Sequence, residues 1–145
     1  RFLQLARPLE GYVRLRSRVP NSKFEGGLCE FLETEVKESI RRQVPVLEAM
    51  DAWHSGAFLL ETVPCVLLLL ARYAVSPEAA LVRAVNDTRD NDTVAAIVGA
   101  AVGALHGEQA MPSRWRNNLL GRTTADDDGH LFELLDRLTA PGGGA

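Results

Sequence analysis

Asn86-Asp87-Thr88-Arg89-Asp90-Asn91-Asp92-Thr93 crowds carboxylate, carboxamide and hydroxyl oxygens into one short stretch. Two readings fit these residue types. Asx and Thr residues serve a loop and a helix cap, because their short side chains bond to nearby backbone. They also serve a hard cation. Asp90 and Asp92 are two apart, so in an extended segment both carboxylates point the same way. Thr93 adds a hydroxyl from the first helical turn. Oxygen donors alone suit Mg, Mn or Ca and do not suit zinc. A helix amino terminus opposes a cation by ~0.3–1 kcal/mol, which two carboxylates outweigh, and the same terminus favours a phosphate.

The spacing excludes an EF-hand. With Asp90 and Asp92 at loop positions three and five, the required glycine is Thr93. With them at one and three, Ala95 and Ala101 stand where glycine and glutamate belong. The histidines suggest no metal cluster. His54 adjoins a loop that could meet a ligand, His106 fits a helix carboxyl end, and His130 reads as surface. No Ser-His-Asp or Cys-His site can be argued from spacing, since such sites assemble in space. Asp126 to Asp128 read as a solvated acidic loop before a helix.

These residues must be positioned by helices. Leu28, Phe31, Leu32, Val36 and Ile40 recur at steps of three and four, which predicts an amphipathic helix to about Arg42. After Pro45 a short helix runs to about Asp51, and Trp53-His54-Ser55-Gly56 reads as a loop. An apolar helix then runs to Tyr73, with Thr62 as its cap and Pro64 in its first turn. Ser76-Pro77-Glu78 opens a helix to about Val85. Asp90-Asn91-Asp92-Thr93 opens the helix Val94 to His106, stopped by Gly107. Its Ala95, Gly99, Gly103 and Gly107 are four apart, a bare face that predicts tight packing as a buried central helix. Pro112 opens a helix with Trp115 and Leu119, and a last helix carries Leu131, Leu134, Leu135 and Leu138. No alternating strand pattern appears. The expected fold is all-α.

The composition agrees with a globular chain. Of 145 residues, 46% are apolar and 24% charged, with a net charge of −3, which speaks against a basic nucleic-acid binder. Residues 1–22 form a basic segment, where Arg1, Arg7, Arg14, Arg16 and Arg18 face Glu10 alone. It reads as an anion-binding patch or a solvated, packing face. Residues 23–140 form the helical domain, and residues 141–145 a flexible tail. Cys29 and Cys65 are expected as buried free thiols. Val63 to Ala71, the most apolar run, is too short to span a membrane, and the reading is cytoplasmic. The chain begins at Arg1 without an initiator methionine.

Gly56, Glu61-Thr62-Val63-Pro64, Ala84-Val85-Asn86, Asp90-Asn91-Asp92-Thr93, the Ala95 to Gly107 small-residue helix, Pro112 and Trp115 follow in an order and spacing that resembles the carboxyl-terminal part of the ADP-ribosylglycohydrolase family. The resemblance spans roughly Ala49 to Leu120. It implies an all-helical orthogonal bundle that binds two Mg or Mn ions in a cleft for ADP-ribose. It implies metal ligation by Asp90, Asp92 and Thr93, and ligand contact by Ser55, Gly56 and Ala57. The implied reaction is hydrolysis of the glycosidic bond that joins ADP-ribose to a protein side chain or a related conjugate.

Two departures matter. A Gly-Gly pair commonly precedes the first aspartate, where this chain has Thr88-Arg89; Arg89 either meets a phosphate or is solvated. No Asp or Glu before Asp51 lies in the Thr-Asp-Asp context that supplies the other metal ligands and a catalytic carboxylate. The expectation is therefore a carboxyl-terminal portion holding half of a dinuclear site, inactive alone, with no assignable catalytic base. The alternative is a helical module that binds ADP-ribose or a partner without turnover. If an absent half covers Leu59-Leu60 and Val66 to Leu70, the chain self-associates through that apolar face.

Overall fold

The computed structural model describes residues 2–11, 13–20, 22–119 and 130–139. They fall into two compact units, residues 1–107 and 108–145. The first holds α1 (Phe2–Ala6), the strands β1 (Leu15–Arg16) and β2 (Glu25–Gly26), and α2 (Leu28–Phe31). A π-helical turn (Leu32–Val36) then leads into α3 (Lys37–Arg41), followed by α4 (Val46–Ala52), α5 (Leu59–Tyr73), α6 (Pro77–Asp87) and α7 (Asn91–His106). The second holds α8 (Ser113–Arg116) and α9 (His130–Thr139). The fold is all-α apart from one antiparallel ribbon, in which Leu15 pairs with Gly26 and Arg16 with Glu25. Two residues per strand are too few to leave an alternating pattern in a sequence.

The core of the first unit gathers around α5, which packs on α4, α6 and α7. Cys65, Leu68 and Leu69 of α5 are fully buried, as are Met50 of α4, Ala80 and Ala84 of α6, and Val94, Val98 and Val102 of α7. Alanine at 80 and 84 lets α6 lie close to α7. Gly99 serves the same contact: a Cβ there would stand 3.2 Å from Leu81 Cδ2.

Several expectations need correction. The apolar helix begins at Leu59, with Phe58 at its cap, so Pro64 lies inside it and not in its first turn. Pro64 cannot donate to the Leu60 carbonyl. Thr62 is no cap either; its hydroxyl reaches back to the Gly56 carbonyl at 3.0 Å. Ser76 holds the cap position of α6, yet its side chain makes no capping bond. The helix α7 buries its valine stripe, not its glycine stripe, and Ala96, Ile97, Ala100 and Ala104 stay exposed. β-Branched side chains at 94, 98 and 102 fill the core where glycine has nothing to bury. Gly107 does stop α7, in a left-handed conformation (φ 79°) with its N–H on the Gly103 carbonyl.

The proposed self-association face is also changed. Leu60, Val66, Leu68 and Leu69 are buried within this chain, leaving Leu59 as the exposed large residue of that set. Three arginines of the basic segment pair within the chain: Arg7 with Glu33, Arg14 with Glu25 and Arg18 with Glu61. Asp126 to Asp128 and the tail 141–145 lie outside the described residues. No helix among the described residues is long and apolar enough to cross a membrane.

Both cysteines are free and buried. Burial, followed by the nearby Glu61 charge, pushes the Cys65 thiol up from 9.0 to about 12. The folded state therefore keeps this proton after the unfolded chain has lost it. The thiol leaves stability unchanged below pH 9 and erodes it as the pH climbs from 9 towards 12. Native Cys65 should resist a thiol-directed disulfide reagent at pH 8 and react fully in denaturant. Rapid labelling of native Cys65 at pH 8 would contradict its burial.

Candidate functional site

The oxygen-rich stretch divides in two. Its first part ends α6. The Asn86 carboxamide donates to the Val82 carbonyl at 2.8 Å, Asp87 pairs with Arg83 at 3.2 Å, and the buried Thr88 hydroxyl donates to the Ala84 carbonyl at 2.5 Å. Those side chains serve backbone and charge on their own helix, as a loop-and-cap reading requires.

The second part is not spent that way. Asp90 holds the cap position of α7, where an aspartate normally accepts a first-turn N–H. Its side chain makes no such bond. Asp90 Oδ2 is buried and has no hydrogen-bond partner among the described residues. A buried carboxylate oxygen without a partner is rare in native proteins and implies an ion, a water or a ligand group. Asp92 and Thr93 follow in the exposed first turn. They lie within the helix, not in an extended segment, so the parallel carboxylates expected from period two are replaced by first-turn geometry.

The loop after α4 is joined to this motif. The Arg89 N–H donates to Ser55 Oγ at 3.2 Å, and the Asp90 N–H donates to the Ser55 carbonyl at 3.0 Å. Ser55 is fully buried, so this double tie fixes the backbone that carries Asp90. His54 and Ser55 have positive φ, 68° and 41°, which costs of order 1 kcal/mol or more per non-glycine residue. The sequence would assign that conformation to Gly56. Gly56 instead lets the backbone lie close to Glu61: a Cβ there would stand 2.5 Å from Glu61 Oε2, which would have to shift. Ala57 is exposed beside it.

Glu61 is the residue that sequence reasoning undervalued. It is 3% exposed, and its carboxylate meets Arg18 Nε at 3.2 Å. The Arg18 guanidinium lies 4.2 Å above the Phe58 ring centroid. Glu61 therefore ties the segment after β1 to the start of α5, whose Thr62 hydroxyl holds the Gly56 carbonyl of the 54–57 loop. The available signal was an acid directly before an apolar run on a buried helix face. Its partner, 43 residues away, left no local trace.

The remaining candidate side chains take other partners. Arg89 is exposed and stands 3.9 Å from Asp51. His106 meets the Ala74 carbonyl at 2.5 Å and so tethers α7 to the end of α5. His130 is exposed near Glu133 in the second unit. Among the described residues, no group of three or more His, Cys, Asp and Glu side chains could hold a metal. What this chain offers a hard cation is the unpartnered Asp90 oxygen with the Asp92 and Thr93 oxygens in the first turn of α7, an all-oxygen set of the kind hard cations take.

The ADP-ribosylglycohydrolase family model matches residues 5–143, well beyond the stretch from Ala49 to Leu120 that carries the motifs. The chain belongs to the ADP-ribosylglycohydrolase family. Comparison with curated proteins and with solved structures finds no match.

Proposed function

We propose that this chain contributes the metal-binding aspartates to the hydrolysis of a glycosidic bond between ADP-ribose and a protein side chain or related conjugate. The observation that carries the reading is the buried Asp90 oxygen, held at a helix cap yet bonded to no helix N–H. Asp90, Asp92 and Thr93 would hold Mg or Mn, in a dinuclear site completed by residues outside this chain. The bound ions would supply Lewis acidity towards a water and a grip on ribose hydroxyls.

The chain's own groups have distinct tasks. Asp90 and Asp92 contribute negative charge and cannot act freely as the base while ligating. The uncapped first-turn N–H groups of α7 favour the diphosphate of the ligand. Ser55, Gly56 and Ala57 line the approach, with Ser55 holding the loop to the motif. The proton-accepting carboxylate belongs outside this chain, so residues 1–145 alone are inactive. The partner is an ADP-ribosylated protein or conjugate.

The test measures free ADP-ribose released from ADP-ribosylated protein in the presence of Mg or Mn. The isolated chain should release none. A protein that joins this chain to a family amino-terminal half should release it, and Asp90→Ala there should lower the rate by at least about a hundredfold. Undiminished release by that variant would overturn the assignment.

A further inference from the structure

His54 and Ser55 hold left-handed backbone at two consecutive residues that carry side chains, φ 68° and 41°. Glycine takes such angles freely, whereas other residues keep them only where their surroundings hold them there. Ser55 performs a task that glycine could not. It offers both of its acceptors to successive N–H groups, Oγ to Arg89 at 3.2 Å and its carbonyl to Asp90 at 3.0 Å. Glycine has only the carbonyl. At 1% exposure, Ser55 is shielded from water that would compete for either bond. Thr88, one residue earlier, is held by its hydroxyl on the Ala84 carbonyl. All three residues that link α6 to α7 are therefore pinned.

The effect shows in the backbone of Asp90. A cap residue normally has extended angles, from which a short side chain accepts the second or third helical N–H. Asp90 stands instead at φ −90°, ψ 62°. Its carbonyl still accepts the Val94 N–H at 3.1 Å, so the main chain of α7 starts in the ordinary way. Only the side chain is out of place. The carboxylate makes no capping bond, and Oδ2 ends buried without a partner among the described residues. An unrestrained aspartate here would relax into an ordinary cap and give its carboxylate to the Asp92 or Thr93 N–H.

We propose that Ser55 is a positioning residue, whose two acceptors hold Asp90 off the cap conformation and keep its carboxylate free for a cation. The role rests on the cation reading of Asp90 given above. The strained turn and the idle cap are then two parts of one arrangement, in which stability is given up for a preset ligand.

The test reads amide hydrogen exchange in the metal-free chain and Mn²⁺ affinity in the same preparations. Ser55→Ala removes the Oγ acceptor, and Asp90 should then turn to cap α7. Exchange at Asp92 or Thr93 should slow about fivefold, the protection that a side-chain cap confers. Mn²⁺ should bind about tenfold more weakly, as on loss of other outer-shell support. In Asp90→Ala, adding Ser55→Ala should leave that exchange unchanged, because no carboxylate remains to cap. A merely structural serine would instead speed exchange in both backgrounds. Circular dichroism checks folding, and Ser55→Gly, suited to φ 41°, replaces Ser55→Ala if the latter does not fold. Absence of Mn²⁺ binding by the wild type refutes the cation reading. Unchanged or faster exchange at both amides in the folded variant, or undiminished Mn²⁺ affinity, overturns the positioning role.

Discussion

Asp90→Ser should raise the melting temperature of the metal-free chain and abolish its stabilisation by Mn²⁺. The two halves have one cause. The wild-type carboxylate keeps an oxygen buried without a partner, at a position where a side chain could satisfy a first-turn N–H of α7 and does not. Leaving such a group unmatched costs about 1–3 kcal/mol. Serine removes the charge and is a strong cap residue, worth up to ~1 kcal/mol in that role. A gain of about 1 kcal/mol corresponds to roughly 2–4 °C for a chain of this size. The Asp90 N–H bond to the Ser55 carbonyl is a backbone contact and survives the exchange. Stability held back at a binding residue is the usual signature of a site built for a ligand. A lower melting temperature with the Mn²⁺ response intact would place the cation elsewhere.

Arg18→Met should act in the opposite direction. The methionine keeps much of the stem over Phe58 but leaves the Glu61 carboxyl 3% exposed and unpaired. Removing one partner of a buried charge pair is costly because the other stays behind. The half-exposed arginine dilutes the effect, so about 1–3 kcal/mol is expected, or roughly 3–10 °C. Glu61→Gln should cost less, since the amide keeps the shape and the arginine is free to enter water. Thermal unfolding of both variants reads the asymmetry, and equal losses would argue that Glu61 is not the buried member.

Much of the fold was legible because helices declare themselves locally. Leu28 to Ile40 carries the helical period, and Gly107 marks the end of α7 with the one residue type suited to its positive φ. The errors came where tertiary contacts override local preference. Pro64 belongs inside α5 because the buried face of that helix extends back to Leu60. The small-residue face of α7 looked like the buried one, yet Val94, Val98 and Val102 had more surface to bury. The strand pair is two residues long and was invisible to a test for alternation.

The candidate site was legible in its residue types and not in its wiring. Asp90, Asp92 and Thr93 stood out by composition, but so did Asn86, Asp87 and Thr88, which only close α6. Sorting the two groups needed the hydrogen bonds. Likewise Ser55 could be named from its loop, whereas its bonds to residues 34 and 35 positions later could not. Glu61 and Arg18 met only on folding.

Paramagnetic broadening by substoichiometric Mn²⁺ tests the central assignment most directly, because it reports distance from the ion residue by residue. The amide resonances of Asp90 to Val94 and of Ser55 and Gly56 should broaden first, and in Asp90→Ala with Asp92→Ala they should stay sharp. Early broadening around the acidic Glu33 to Glu38 segment, with the Asp90 to Val94 amides unaffected, would contradict it.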